Sequence, residues 1–263
     1  MAIRSVNFRD DVVFSIAFSL GLDPRRDLVT DQVNAFVSYI NRWVRRLWDK
    51  MDWPEWTVIE QRTPDVNHYV DFDQSLQTPI GRVFKVYLAD PDLNRGPLDT
   101  PFKLTSKGIH VGFDHGTTVF IKFGKRAPSF TIIPYAAATT YAKDAVVFDP
   151  AGGNCYVSLQ AANTGNALTN AAFWALQPFP FVIADAVVRG AYSECLRDMG
   201  QADKAAVEEQ GAGALAGERA GAVLADANDQ LTDQQQSIPR YRIVPGPSPV
   251  AGTDLLTAPT PKQ

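Results

Sequence analysis

The chain has 263 residues, 45% of them hydrophobic and 21% charged, with a formal net charge of −4. That composition is ordinary for a globular protein, and the length admits two domains or one domain carrying an insertion. A net negative charge argues against a protein whose main work is gripping nucleic acid, although not against a wall that nucleic acid slides past.

Cys155 and Cys195 are the only cysteines, too few and too far apart for a disulfide framework or a zinc site, so two reduced thiols are expected. The opening residues carry Asp10 and Asp11 where the apolar core of a signal peptide would follow, and the run from Val12 to Leu22 is too short to span a bilayer. A soluble protein made in the cytosol, with no membrane association, is the expectation.

In chain order, Asn7 to Leu20 reads as a helix with Phe8, Val12, Val13, Ile16, Ala17 and Leu20 on one face, ended by Gly21. A connector, Asp23 to Leu28, leads to the most informative stretch, Thr30 to Trp56. Thr30 or Asp31 is placed to cap a helix. Val33, Phe36, Val37, Ile40, Trp43, Val44, Leu47, Trp48 and Met51 then recur at i, i+3, i+4, i+7, which is one broad buried face. Asn34, Ser38, Asn41, Arg42, Arg45 and Asp49 fall on the other side. Pro54 forbids helix at Trp53. Four tryptophans, Trp43, Trp48, Trp53 and Trp56, lie within fourteen residues and mark this helix as the pillar of the fold.

The period then changes. Trp56 to Arg62, His68 to Phe72, Gly81 to Leu88, Ile109 to Phe113, Thr117 to Phe123 and Ser129 to Ile133 read as strands. Asp114-His-Gly116 reads as the hairpin turn joining the fourth run to the fifth. Short strands punctuated by Pro, Gly and Asp imply a small antiparallel unit. Residues 135–178 form a separate block, with Tyr141, then Gly152-Gly-Asn-Cys-Tyr156, then Phe173-Trp174. This block resembles the small chitin-binding type 3 carbohydrate-binding modules, three short strands supporting a few exposed aromatics. The resemblance implies that Tyr141, Tyr156 and Trp174 stack on sugar rings. The residues alone read more readily as the mini-core of a unit too small to fold without large side chains.

From Phe181 helical spacing returns through Met199, with Gly200 as a break, and Gln201 to Gln236 continues as a helix rich in Ala, Glu and Gln. The run Gly211 to Gly217 is small-sided and suits close approach of another helix. Residues 237–263 hold six prolines and read as an extended arm. Tyr241, Ile243, Leu255 and Leu256 are either docking points on a neighbouring subunit or part of a disordered tail.

No catalytic constellation is visible: no nucleophile elbow, no phosphate-binding Gly-Lys-Thr/Ser loop and no dinucleotide fingerprint. His110 and His115 sit five apart with no acidic or Cys cluster to complete a metal site. Asp71 with Asp73, and Asp90 with Asp92, read as turn chemistry. No enzyme and no cofactor is expected; an unrecognised hydrolase would have to use Asp71, Asp73 or His115. Arg42, Arg45 and Arg46 form a basic cluster that reads either as an anchor for acidic groups on a partner or as a face satisfied by Asp49 and Asp52.

The predicted class is therefore α+β. It comprises a helical bundle of N- and C-terminal helices (residues 1–55 and 179–236), interrupted by an antiparallel β domain (56–134) and a small β insert (135–178), with an extended C-terminal arm (237–263). This layout, with Asn41-Arg-Trp-Val-Arg-Arg-Leu-Trp48, Trp53-Pro-Glu-Trp56, Ala184-Asp-Ala-Val-Val188 and Gly200-Gln-Ala-Asp-Lys-Ala205, resembles the head-to-tail adaptors of tailed bacteriophages, the connector or tail tubular A type. The resemblance implies a structural virion protein forming a ring of twelve copies at the neck. Its partners would be the portal protein and the downstream tail or nozzle proteins, with DNA passing through unbound. Arg42, Arg45, Arg46, Tyr241, Ile243, Leu255 and Leu256 would be its partner contacts. The rival reading is a tail or host-surface protein that binds glycans through the insert.

Overall fold

A computed structural model of the chain describes residues 6–50, 53, 56–72, 78, 80–91, 93, 99–112 and 117–237. It is an α+β structure. Among the described residues it has four α-helices, a π-helical segment leading into the first, and three antiparallel three-stranded sheets. The chain divides into two compact units, residues 1–225 and 226–263. The described part of the second is the end of the last helix.

The π-helical segment Phe8–Val13 runs directly into α1 (Phe14–Ser19). Asn7 caps it by accepting from the Asp10 N–H at 2.9 Å, and Asp11 returns the bond by accepting from the Asn7 N–H at 2.7 Å. The principal helix is α2 (Thr30–Lys50), which buries Phe36, Val37, Ile40, Trp43, Val44 and Leu47 as its spacing predicts. Its partner is α3 (Phe181–Asp198). The two run antiparallel: Tyr39 meets Asp198, Arg42 meets Glu194, and Trp43 meets Gly190. Gly190 makes the approach possible, because a Cβ there would overlap three indole carbons of Trp43, Cδ2, Cε2 and Cε3.

Gly200, at φ 75°, ends α3. Its N–H donates to Arg197 O at 3.0 Å and the Gln201 N–H donates to Leu196 O at 2.8 Å, so the orphan carbonyls of the last turn are satisfied as the chain reverses. Then α4 (Ala202–Ser237) begins, and its part up to Ala220 returns along α3. Arg197 pairs with Glu209 at 2.6 Å, Arg189 with Glu208 at 2.5 Å and Arg219 with Asp185 at 3.6 Å. The small residues of α4 divide between two faces. Ala212, Ala216 and Ala220 are buried in the helical core, whereas a Cβ at Gly213, Gly217 or Gly221 would meet nothing within 4 Å.

The nine strands among the described residues are β1 (Thr57–Arg62), β2 (Tyr69–Val70), β3 (Ile80–Tyr87), β4 (Phe102–Thr105), β5 (Gly108–Val111), β6 (Val119–Lys125), β7 (Val146–Asp149), β8 (Asn154–Ser158) and β9 (Trp174–Gln177). The sheets are ordered β1-β6-β3, β2-β5-β4 and β7-β8-β9. The first two share a core containing Val70, Ile80, Val86, Ile109, Ile121 and Phe123. Two sequence expectations fail here. The runs ending near Phe113 and starting near Thr117 do not pair: β5 pairs with β2 and β4, while β6 pairs with β1 and β3. Residues 113–116, with His115, lie outside the described residues. The real hairpin in this region joins β4 to β5 through Ser106-Lys107, where Thr105 Oγ accepts from the Lys107 N–H at 3.2 Å.

The run Ser129 to Ile133 is not a ladder strand either. Its backbone is held by Asn41 of α2, which donates through Nδ2 to Phe130 O and accepts from the Phe130 N–H, both at 2.8 Å. Asn41 is thus a clamp and not part of a solvent face. The same segment accepts from Cys155 Sγ at Thr131 O (3.2 Å) and from the Phe148 N–H at Ile133 O (2.8 Å). Phe130 is thereby buried against Phe8, stacked at 5.0 Å between ring centroids, and against Phe179 at 4.8 Å.

The third sheet is not a free appendage. Phe148 and Cys155 belong to the helical core. The β7–β8 turn is also latched to the N-terminal segment: Asn7 Nδ2 donates to Gly152 O at 2.8 Å and Arg9 Nη1 to Pro150 O at 2.6 Å.

The α2–α3 approach yields a direct test. Replacing Gly by Ala in an exposed helix stabilises it by about 1 kcal/mol, yet Gly190→Ala is expected to destabilise this protein by about 1–3 kcal/mol through overpacking against Trp43. Urea unfolding measures the loss, and in the Trp43→Ala background the same substitution is expected to cost much less.

Candidate functional site

Trp174 is only 3% exposed. Its Nε1 donates to Asn166 O at 2.9 Å, and its ring meets Tyr135 and Tyr141 edge-on, with centroids 5.7 and 5.2 Å away. Tyr141 is half-buried; its hydroxyl accepts from the Ala136 N–H at 2.8 Å, and its backbone bridges to Asn163. Beneath the rings lies a polar knot: buried Asn163 donates through Nδ2 to Ser158 Oγ at 3.1 Å and accepts from Asn166 Nδ2 at 2.9 Å. Tyr156 stands apart, half-buried on β8 opposite exposed Leu176 of β9. The three aromatics singled out in the sequence therefore do not form one platform. Trp174 offers no open ring face to a sugar, because Tyr135 and Tyr141 cover it. Tyr135, Ser158, Asn163 and Asn166 complete this cluster. Sequence reasoning misses them, since isolated Ser and Asn carry no periodic signal.

The arginine cluster of α2 also separates. Arg42 pairs with Glu194 at 3.4 Å, and Arg46 with Glu209 at 2.6 Å while lying over the Trp43 ring at 4.6 Å. Both are occupied holding α2 to α3 and α4, through glutamates distant in sequence and not through Asp49. The Glu209 carboxyl, between Arg46 and Arg197, is held below its ordinary range by those two guanidiniums. All three arginines are exposed, but Arg45 alone makes no ion pair among the described residues.

Arg45 stands at the rim of an open groove of about 660 Å³ between the end of α2 and the edge of sheet β1-β6-β3. Its wall is built from the Trp-rich turn. Trp48 and Trp56 stack at 3.6 Å with planes 4° apart, and Trp53 tilts against Trp56 at 5.2 Å. Two indole N–H groups fasten the turn, Trp48 Nε1 to Lys125 O at 2.8 Å and Trp53 Nε1 to Leu47 O at 3.1 Å. Arg82, Lys125 and Arg126 add positive charge from β3 and the end of β6, and Asp49 is the only acid lining the groove among the described residues. A second groove, of about 610 Å³, runs between α1, α3 and α4 and is lined by Asp11, Asp185, Arg189 and Glu208 among others.

No group of three or more metal-ligating side chains exists among the described residues. His68 and His110 face each other edge-on at 6.3 Å, with Tyr69 beside His110 at 5.0 Å. Asp52, Asp73, Asp92 and His115, like Tyr241, Ile243, Leu255 and Leu256, lie outside the described residues. Arg62 is buried under Phe123 in the β core, donating through Nη2 to Glu60 at 2.7 Å and to Thr78 O at 2.8 Å. Its Nε and Nη1 have no hydrogen-bond partner among the described residues. No helix among the described residues is long and apolar enough to cross a membrane.

Both cysteines are buried free thiols. Burial pushes Cys155 up to about 11; burial, then the Asp198 carboxylate, push Cys195 up to about 12. The Tyr39 hydroxyl donates to Asp198, and that bond, then burial, raise it to about 12.

No protein-family model matches this chain, and no curated protein matches it either.

Two expectations follow from this geometry. Trp174→Ala is expected to cost about 3–5 kcal/mol of stability, as for a buried tryptophan, whereas Tyr156→Ala costs far less; thermal unfolding of the two variants decides. The three raised groups keep their protons in the folded chain after the unfolded chain has begun to release them, near pH 8.5 for a thiol and about 10 for tyrosine. Their contribution is therefore full below about pH 8.5 and is lost as pH rises through 11 to 12. The melting temperature should fall across that window, less steeply in Tyr39→Phe, and at pH 8 neither thiol should react with a disulfide reagent until the chain unfolds.

Proposed function

We propose that this chain is a head-to-tail adaptor of a tailed bacteriophage, a structural virion protein made in the host cytoplasm that assembles as a ring, of twelve copies, between portal and tail. The reading rests first on the sequence resemblance of its helical stretches. It is supported by the way helices from the two ends of the chain pack together around Trp43 and Gly190, with the first two sheets closing a core of their own between them.

The observation that carries the ring is the outer face of α4. Gly213, Gly217 and Gly221 fall at i, i+4 and i+8 with open space above them, and Val207 on the same helix is 64% exposed. A helix that uses alanines inward and glycines outward is smooth on both sides, which suits backbone-close packing against a neighbouring copy. The Pro-rich stretch with Tyr241, Ile243, Leu255 and Leu256 then engages the portal or the next subunit. Arg45 remains available to an acidic partner group. A chain of net charge −4 lines a passage for DNA without retaining it, and no catalysis is required.

Electron cryomicroscopy of virions is expected to show a ring of this chain at the neck; virions with no such density there would overturn the assignment. Gly213→Leu with Gly217→Leu should leave the monomer's melting temperature nearly unchanged and abolish ring formation on purified portal.

A further inference from the structure

We propose that the groove at the end of α2 binds a single strand of nucleic acid, with phosphates held on its basic rim and bases stacked on its indoles. The net negative charge of the chain describes the whole surface and not this place. Arg45, Arg82, Lys125 and Arg126 line one open groove from three separate elements, against one lining acid, Asp49, among the described residues. Arg45 and Lys125 are exposed and make no ion pair among those residues, so their charge is not consumed internally as that of Arg42 and Arg46 is.

The second observation is the wall. Trp48 and Trp56 are only half-buried although they stack on each other, and Phe84 adds a further ring that lies against Gly124, with the Arg82 guanidinium 5.4 Å from its centroid. Aromatic faces interleaved with cations in an open groove are the ingredients of sequence-tolerant strand binding, because every base carries a π-face and every nucleotide a phosphate. An acidic polypeptide would use the cations but gives the indoles no planar partner. A duplex keeps its bases stacked and offers them none either. The volume, about 660 Å³, lies within the range of ligand-sized clefts. Two of the indoles are also fixed in place, since Trp48 Nε1 donates to Lys125 O and Trp53 Nε1 to Leu47 O. A strand would meet a preformed wall. The inference is independent of the neck assignment, and either stands if the other fails.

The test uses the full-length protein and a fluorescent oligothymidylate, read by anisotropy and by quenching of tryptophan emission. The wild type is expected to bind with quenching, and Arg45→Glu with Lys125→Glu to weaken binding at least about tenfold. The same pair should lower the slope of log affinity against log salt by about 0.7 for each phosphate no longer neutralised. Both positions are surface residues, so these variants should keep the fold. Trp56→Leu, checked for native circular dichroism, should weaken binding about tenfold or more. Absence of binding would overturn the proposal, as would affinity unchanged in the charge-reversed protein. Displacement by polyglutamate as readily as by unlabelled strand would make the groove an acidic-peptide site instead. Duplex binding of equal strength without quenching would reduce it to a non-specific phosphate contact and likewise overturn it.

Discussion

The helical part of this protein depends on one close approach, the Trp43 ring lying directly on the backbone of α3 at Gly190. An indole is the largest side chain available and buries a correspondingly large apolar area. Placing it flat against a helix requires that the helix have no side chain at that point, so the sequence accepts a glycine in mid-helix at a cost of about 1 kcal/mol. Arg46 lies over the same ring and continues to Glu209 on α4. One side chain thereby sets the spacing of α2 and α3 and, through its cation, the position of α4. The indole Nε1 has no hydrogen-bond partner among the described residues, an unmade bond of about 1–3 kcal/mol. Packing therefore outweighs polar satisfaction at this contact.

Around that contact the chain builds two cores and not one. The helical core reaches into the third sheet through Phe148 and Cys155 and takes in the 129–133 segment through Phe130, while the first two sheets close on their own set of β-branched and aromatic residues. The third sheet therefore works on both faces. One supplies the helices with apolar side chains, and the other carries the cluster of Tyr135, Tyr141 and Trp174 over Asn163. A unit of this size gains stability from being half absorbed into a larger core, as surface-to-volume scaling requires.

Much of this was legible because periodicity records burial. The inward face of α2, the break at Gly200, and most strands of the β region follow from spacing and from single special residues. What was not legible is long-range partnership. Nothing in Ser129 to Ile133 says that its backbone will bond to an asparagine of α2 in place of a neighbouring strand, and nothing in Asn41 says that it faces inward. The Asp114-His-Gly116 sequence has stronger turn chemistry than Ser106-Lys107, yet the pairing follows the latter, because sheet membership is decided by which apolar faces share a core. Of the candidate site residues, the sequence located the aromatics of the insert and the arginines of α2 but could not say which aromatics were exposed or which arginines were paired. Exposure depends on what the distant segments do.

That distinction decides how the arginines of α2 are to be read. Three cations in five residues look like a single anchoring patch, and a helix of 3.6 residues per turn distributes them around its surface. Arg42 and Arg46, four apart, share a face and meet glutamates of α3 and α4; Arg45 lies on another face and finds the groove. The first two hold the bundle together and the third is left to meet something outside it. Charge at the surface of this protein is therefore sorted by helical phase. A partner surface follows from that sorting and not from the density of basic residues in the sequence.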